Sequence, residues 1–343
     1  MHILIYVGYQ KKPFNPDTIK TSGIGGTELA CIKLSEELSR FGWEVFVSGN
    51  VLPGKFGLVE WIPTHKLHKQ YFNYFDVIIG ASYIHFLLEF EKYGAKKIFW
   101  AHNTDYHAWW NGKKIPQSKT LLNNQKLSKI VCLTNWHKNQ WSNKYGVDNI
   151  EVIGNGIDLS SFHGRPRKIK DSFIWSSAPS RGLSHLLENW SKIRKVKPEA
   201  VLNVYYPSYA SDDMNRLSHL VRQDGITIHG SVSQEDLHAA MLKSDYWMYL
   251  TGYEETYCIT ALEMQYAGVI PITTNIAALN ETIHSGIILD YKVSRYNEAI
   301  SILEHSSSNI IERIRRDCIN WSKNQTWSSR SYDWKKLIES LWI

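Results

Sequence analysis

Cysteine is scarce: Cys31, Cys132, Cys258 and Cys318 are spread over 343 residues with no C-x-x-C pair. That spacing signals neither a zinc knuckle nor a disulfide framework, and it suits a reducing cytosol. Long apolar runs are also missing, since none approaches the ~18 residues that a membrane span needs. Met1 to Gly8 is short, has no basic flank and alternates like a first strand, so no secretory leader is expected. The chain contains no D-x-D, a pattern whose paired carboxylates hold a divalent cation, and no metal site is expected. It also lacks G-x-G-x-x-G and G-K-S/T, the dinucleotide fingerprint and the Walker loop. Signatures of RNA-recognition, zinc-finger and helix-turn-helix modules are absent and the basic residues are scattered, so no nucleic-acid partner is expected.

What is present describes a folded protein: 43% hydrophobic and 21% charged residues. A chain of 343 residues exceeds one ordinary core, which makes two domains the default. The net charge of +6 suits anionic partners such as nucleotide diphosphates or anionic lipid surfaces, without choosing among them. The 14 Trp and 19 Tyr supply aromatic faces of the kind that stack on sugar rings, although most belong to a core.

Apolar runs and helical stretches alternate through both halves. MHILIYVG, WEVFVSG, LVEWIP, FDVIIGAS, KKIFWAHN and LSKIVCLTN read as strands. TELACIKLSEELSRFG reads as an amphipathic helix with Leu29, Ile32, Leu34 and Leu38 inward, and IHFLLEFEKYG and WHKNQWSNKYG as further helices. DSFIWSSA, AVLNVYY, ITIHGSV, DYWMYLTG, VIPITT and GIILD repeat the strand pattern later, with LSHLLENWSKIR, DDMNRLSHLVRQ and SQEDLHAAML as helices between them. Such alternation predicts an α/β protein with two doubly wound parallel sheets. Ligands of such sheets lie beyond the carboxyl ends of the strands.

The loops at those ends carry the candidate chemistry. In EETYCITALEMQYAGVIP, residues 254–271, Glu255 precedes a helix and Glu263 follows eight residues on. A helical rise of 1.5 Å per residue would separate them by about 12 Å, roughly the span from hexose to ribose in a nucleotide sugar. Gly25 and Gly26 stand before a helix, either as a flexible turn or as a place where backbone N–H groups approach an anion. His102 follows the strand KKIFW, and Arg181 precedes Gly182 and a helix. Trp109, Trp110, Lys113 and Lys114 form an aromatic-basic patch that could line an acceptor cleft or touch a membrane surface. The Asn155-Gly156 pair is a strong turn former, and RPRKIK, residues 165–170, has the composition of an interdomain linker.

Together these segments resemble the retaining GT-B glycosyltransferases of family 4. That family carries glutamate, seven residues and glutamate before a small-residue turn and a Pro-containing strand, as Glu255 to Pro271 do here. The resemblance implies a GT-B fold: an acceptor domain over 1–163, a nucleotide-sugar domain over 164–326, facing it across a cleft, and a helix over 327–343 crossing back to the first domain. It implies transfer from a UDP- or GDP-linked sugar, with no cofactor, to a hydroxyl of a glycan or lipid-linked acceptor. Glu255 would face the sugar, Glu263 the ribose, His102 the sugar and Arg181 the diphosphate. Gly25 and Gly26 would lie near the diphosphate, and Gly230 and Ser231 near the base. Tyr257, Cys258 and Ile259 occupy the family's Phe-Gly-Leu-like triplet, so Cys258 replaces a glycine. The family's first diphosphate cation would stand six residues before Arg181, where this chain has Trp175. A cytoplasmic enzyme, peripheral at a membrane surface if the acceptor is lipid-linked, would fit. The rival readings are an epimerase of the same fold, which needs no acceptor, and a basic nucleic-acid-binding protein.

Overall fold

A computed structural model describes residues 1–10, 12–21, 23–67, 71, 73–105, 122, 127–290 and 295–343, and the backbone alone at 109–110 and 113–114. The chain forms two compact units: Met1–Thr18, Gly25–Gly156 and Trp327–Ile343 make the first, and Ile19–Ile24 with Ile157–Thr326 the second.

The strands of the first unit are β1 (His2–Tyr6), β2 (Glu44–Gly49), β3 (Gly54–Phe56), β4 (Val59–Pro63), β5 (Val77–Ala81), β6 (Lys96–Trp100), β7 (Trp109–Trp110), β8 (Lys113–Lys114), β9 (Leu127–Cys132) and β10 (Ile150–Val152). Eight of them form a sheet in the order β10-β9-β6-β5-β1-β2-β4-β3, parallel except for the edge pair β3–β4, while β7 and β8 pair separately. β1 and β5 are buried on both faces, which is why they read as unbroken apolar runs rather than alternating ones. Strand order reverses at β1, between β2 and β5.

Helix α1 (Gly26–Ser39) buries Ile32, Leu34 and Leu38, whereas Leu29 is half-buried. Helix α2 (Asn135–Tyr145) begins at Thr134, whose hydroxyl accepts from the His137 N–H, and ends at Gly146 in the left-handed conformation.

The second unit is built on β11 (Ser172–Ser176), β12 (Val201–Tyr205), β13 (Ile226–Gly230), β14 (Tyr246–Tyr249), β15 (Ile270–Thr274) and β16 (Ile287–Leu289). Its sheet is wholly parallel in the order β13-β12-β11-β14-β15-β16, with the reversal between β11 and β14. The helices α3 (Leu183–Val196), α4 (Gln234–Lys243), α5 (Ile259–Tyr266), α6 (Arg295–His305) and α7 (Ser308–Ser322) cover it. Trp175, Trp190, Trp247 and Met264 sit in one contiguous core. The segment 165–170 is tied to this unit, with Arg165 bonded to the Tyr266 carbonyl at 2.7 Å and Lys168 to that of Ala267 at 2.7 Å. Burial lowers the Lys168 ammonium to a pKa of about 7, with Arg315 adding to the effect.

The last helix, α8 (Trp327–Glu339), belongs to the first unit. Trp334 is fully buried against Trp100 at a centroid distance of 5.1 Å, and Lys335 lies 4.9 Å over the Phe41 ring.

Two expected helices are shorter than their sequence pattern. IHFLLEFEKYG is helical only over Phe86–Glu89, and DDMNRLSHLVRQ only within Ser211–Arg216. In both, the chain continues in three-residue turns, such as Tyr93 N–H to Phe90 carbonyl and Leu220 N–H to Leu217 carbonyl. Their apolar side chains are buried or half-buried against the cores without a continuous four-residue ladder.

Candidate active site

The second unit brings Arg181 and Glu255 together at the reversal of its sheet. Arg181 ends the loop after β11 and Glu255 lies in the loop after β14, the two strands that flank the reversal. Open α/β sheets bind ligands at this crevice. Arg181 Nη1 lies 2.7 Å from Glu255 Oε1, and the Tyr249 hydroxyl donates to the same oxygen at 2.7 Å. Glu255 is buried. Burial works against the Arg181 charge, but Glu255 and the nearby tyrosine hydroxyls outweigh it and raise its pKa above the ordinary value. The guanidinium also lies 4.4 Å over the ring of Tyr253. The Tyr249 hydroxyl is pushed far up by burial and by Glu255, so it remains a donor.

Trp175, at the position of the family's first diphosphate cation, is a core residue: its indole N–H donates to the Ser177 carbonyl and its ring sits 5.3 Å from Tyr249. The Arg181 loop borders a cavity of about 320 Å³ lined by His185, Thr251, Tyr253, Arg295 and Tyr296 among others.

From Glu255 the chain passes through Tyr257, which is buried, and Cys258, which has φ 68° and caps α5 in the left-handed conformation. Ile259 opens the helix. Only Glu263 of the glutamate pair lies on regular helix, so a rise of 1.5 Å per residue does not apply to the whole interval. The Cys258 thiol packs against the core and is raised well above its ordinary pKa by burial and by Glu255, which makes it a poor nucleophile.

Glu263 is buried in the middle of α5 and faces α4. His238 Nε2 lies 3.2 Å from its Oε1 and the Gln234 amide 3.4 Å from the same atom. Gly230 has φ 73°, a conformation that glycine tolerates at no steric cost, and it ends β13. The next residue, Ser231, accepts the Gly23 N–H at 3.1 Å, an intra-unit contact that the sequence does not reveal.

The first unit holds the other candidates. Gly25 caps α1 and Gly26 begins it. A Cβ at Gly25 would meet a Glu28 carboxylate oxygen at 2.3 Å, so the first turn of this helix already has its own acidic group. Burial raises the pKa of Glu28. His102 is buried beside Trp100 at 4.3 Å, and burial, with His137 adding to it, lowers its pKa to about 3. It is therefore a neutral imidazole near pH 7. The carbonyl of Asn103 next to it pairs with His137 Nε2 at 2.8 Å and accepts from the Trp141 indole at 2.9 Å, which ties the loop to α2. The side chains of Trp109, Trp110, Lys113 and Lys114 lie outside the described residues, as does Ser22.

Sequence reasoning missed Tyr249, Tyr253, Gln234 and His238. The first lies inside a run that reads only as a buried strand, and the last two lie on a helix with no distinguishing motif.

Two doubly wound α/β units, with a terminal helix returned to the first, define a GT-B protein. A family model described as Glycosyltransferase Family 4 matches residues 24–161, and one described as Glycosyl transferases group 1 matches residues 173–325. The chain belongs to this glycosyltransferase family. Solved structures share the fold along the whole chain. A glycosyltransferase from Rickettsia africae ESF-5 has a TM-score of 0.71 at 17% identity, covering 99% of this chain and 98% of its own. Sucrose-phosphate synthase from Thermosynechococcus elongatus has a TM-score of 0.73 at 13% identity, covering 100% and 99%. Anabaena HepE, solved in complex with UDP and glucose, has a TM-score of 0.71 at 11% identity, covering 98% and 99%. No curated protein matches the sequence.

Proposed function

We propose that this chain is a retaining, metal-independent glycosyltransferase that moves a sugar from a UDP- or GDP-sugar to a hydroxyl of a glycan or lipid-linked acceptor. The second unit binds the donor and the first binds the acceptor. The observation that carries the reading is the Arg181–Glu255 pair at the sheet reversal, followed by buried Glu263 on α5. That the solved HepE structure contains UDP and glucose supports a nucleotide sugar as the donor class.

In this reading the bond from the anomeric carbon to the diphosphate oxygen breaks as the acceptor oxygen bonds to the same face. The acceptor proton passes to the departing phosphate, and the products are the glycoside and a nucleoside diphosphate. Arg181, the amides around Gly25 and Gly26, and the first turn of α5 stabilise the leaving charge. A single arginine serves here because its fork can bind phosphate through two N–H groups. Glu255 receives sugar hydroxyls and His102, neutral, hydrogen-bonds to the sugar. Glu263 holds the ribose, Gly230 and Ser231 border the base, and Tyr257, Cys258 and Ile259 shape the sugar pocket. The absence of D-x-D in the sequence supports a design without a metal. The widely spaced cysteines suit a cytoplasmic protein, and the net charge of +6 suits contact with an anionic membrane surface if the acceptor is lipid-linked.

A thermal-shift panel of UDP, GDP, ADP and their sugar conjugates tests the donor site, on wild type and Glu263→Ala. A ligand at ~100 Kd adds about 2.7 kcal/mol to the folded state. A shift with one base, lost in Glu263→Ala, is the expected result. No shift with any nucleotide overturns the reading. Release of free nucleotide from a donor without any acceptor would instead favour an epimerase, and NMR of the product's anomeric configuration tests retention.

A further inference from the structure

Glu263 is held from one side only. His238 and Gln234 stand four residues apart on α4 and therefore share a face, and both direct a nitrogen at Glu263 Oε1, at 3.2 and 3.4 Å. Among the described residues Oε2 has no hydrogen-bond partner. A carboxylate only accepts, so His238 carries its hydrogen on Nε2. Its other nitrogen, Nδ1, is buried without a partner, and the ring is 1% exposed and stacked on Phe162 at 4.0 Å with a 13° tilt. Phe162 thus fixes the plane of the imidazole, and the imidazole fixes one oxygen of Glu263.

We propose that His238 is a positioning residue for donor recognition. By engaging Oε1 it turns Oε2, with its lone pairs uncommitted, toward the vicinal hydroxyls of the nucleotide ribose. The inference rests on the donor reading above and adds a residue outside the motif that suggested it. Gln234 supports the same oxygen at longer range.

Discrimination between ribose and deoxyribose separates this role from a purely structural one. Calorimetric titration would use UDP, GDP and ADP, each with its 2′-deoxy and 3′-deoxy counterparts. Wild type should bind the best ribonucleotide about tenfold more tightly than its deoxy forms, the size of one hydrogen bond to a charged group. His238→Leu should reduce that preference to about threefold or less, and His238→Gln, which keeps a donor, should restore most of it. If His238→Leu does not fold, His238→Asn replaces it, because its shorter amide cannot reach Glu263. An unchanged preference in the donor-less variant overturns the inference and leaves the donor reading standing. Failure of wild type to bind any nucleotide overturns both.

Discussion

Arg181 Nη1 and Glu255 Oε1 lie 2.7 Å apart, joining two loops that are 74 residues apart in sequence. The pair sits where a diphosphate and a sugar would meet in the proposed reaction, and each charge makes the burial of the other tolerable. Removing Arg181 leaves the Glu255 carboxylate with the Tyr249 hydroxyl as its one hydrogen-bond partner among the described residues. Breaking a buried pair costs about 3–5 kcal/mol, and the Arg181 side chain is 31% exposed, so about 2 kcal/mol is expected for Arg181→Ala. Combining Arg181→Met with Glu255→Gln should recover part of that loss, and a double-mutant cycle by urea denaturation reads the coupling. Activity should not recover with it: kcat/KM of Arg181→Met is expected to fall by about a hundredfold in either background.

Cys258 occupies a left-handed conformation, with φ 68°, that costs a non-glycine residue roughly 1–2 kcal/mol. Its side chain offsets part of that cost by packing on the core of the second unit. Cys258→Gly removes both contributions and should change stability by less than about 1 kcal/mol. Cys258→Val puts a branched Cβ in the same conformation and should cost about 2 kcal/mol or more. Thermal denaturation of the two variants distinguishes a strained cap from an indifferent one.

His102 and His137 predict acid sensitivity in the first unit. Burial lowers His102 to about 3 from an ordinary 6.5. Burial also lowers His137 to about 4, against an opposing hydrogen bond to the Asn103 carbonyl. Above the unfolded value both are neutral in either state and their contribution is fully present. As pH falls below it, the unfolded chain binds protons that the folded chain refuses, so stability drops until the folded values are reached. The slope approaches about 1.4 kcal/mol per pH unit for each histidine. Denaturation midpoints between pH 7 and 5 should therefore fall, and His102→Gln should flatten the fall. Equal slopes in the variant and wild type would rule out His102 as a source.

Much of this architecture was legible because parallel strands buried on both faces leave apolar runs, as in β1, β5 and β14. Glu255, His102 and Arg181 stood in loops after strands, where doubly wound sheets place ligands, and Glu263 on the helix that follows the first of these loops. What was hidden depends on tertiary contact. No pattern in SQEDLHAAML marks His238 as the partner of Glu263, since the same spacing fits any half-buried helix. Tyr249 reads as one more core aromatic until the loop after β14 folds back and delivers Glu255 to its hydroxyl. The edge strand Gly54–Phe56 was missed for a similar reason: three residues, one of them glycine, carry no period of their own.

The helix α8 should determine the stability of the unit it joins. Trp334 is fully buried, and its ring meets the edge of Trp100, itself buried at the end of β6. Leu337 and Ile338 are buried on the same helix, and Arg330 donates to the Asn155 carbonyl at 3.3 Å, fastening the helix to the end of the unit's Gly25–Gly156 segment. Trp334→Ala removes a large ring from a packed site and should cost about 3–5 kcal/mol. Tyr332→Ala, two residues back on the opposite face and 62% exposed, should cost under about 1 kcal/mol although its ring touches Phe41. Deleting residues 327–343 should expose the surface that these rings cover and lower the unfolding midpoint of the first unit, while the second keeps its own core of Trp175, Trp190 and Trp247. Fluorescence and calorimetric scans of the truncated chain would then show two separated transitions, and a single unshifted transition would mean that α8 contributes little to holding the first unit together.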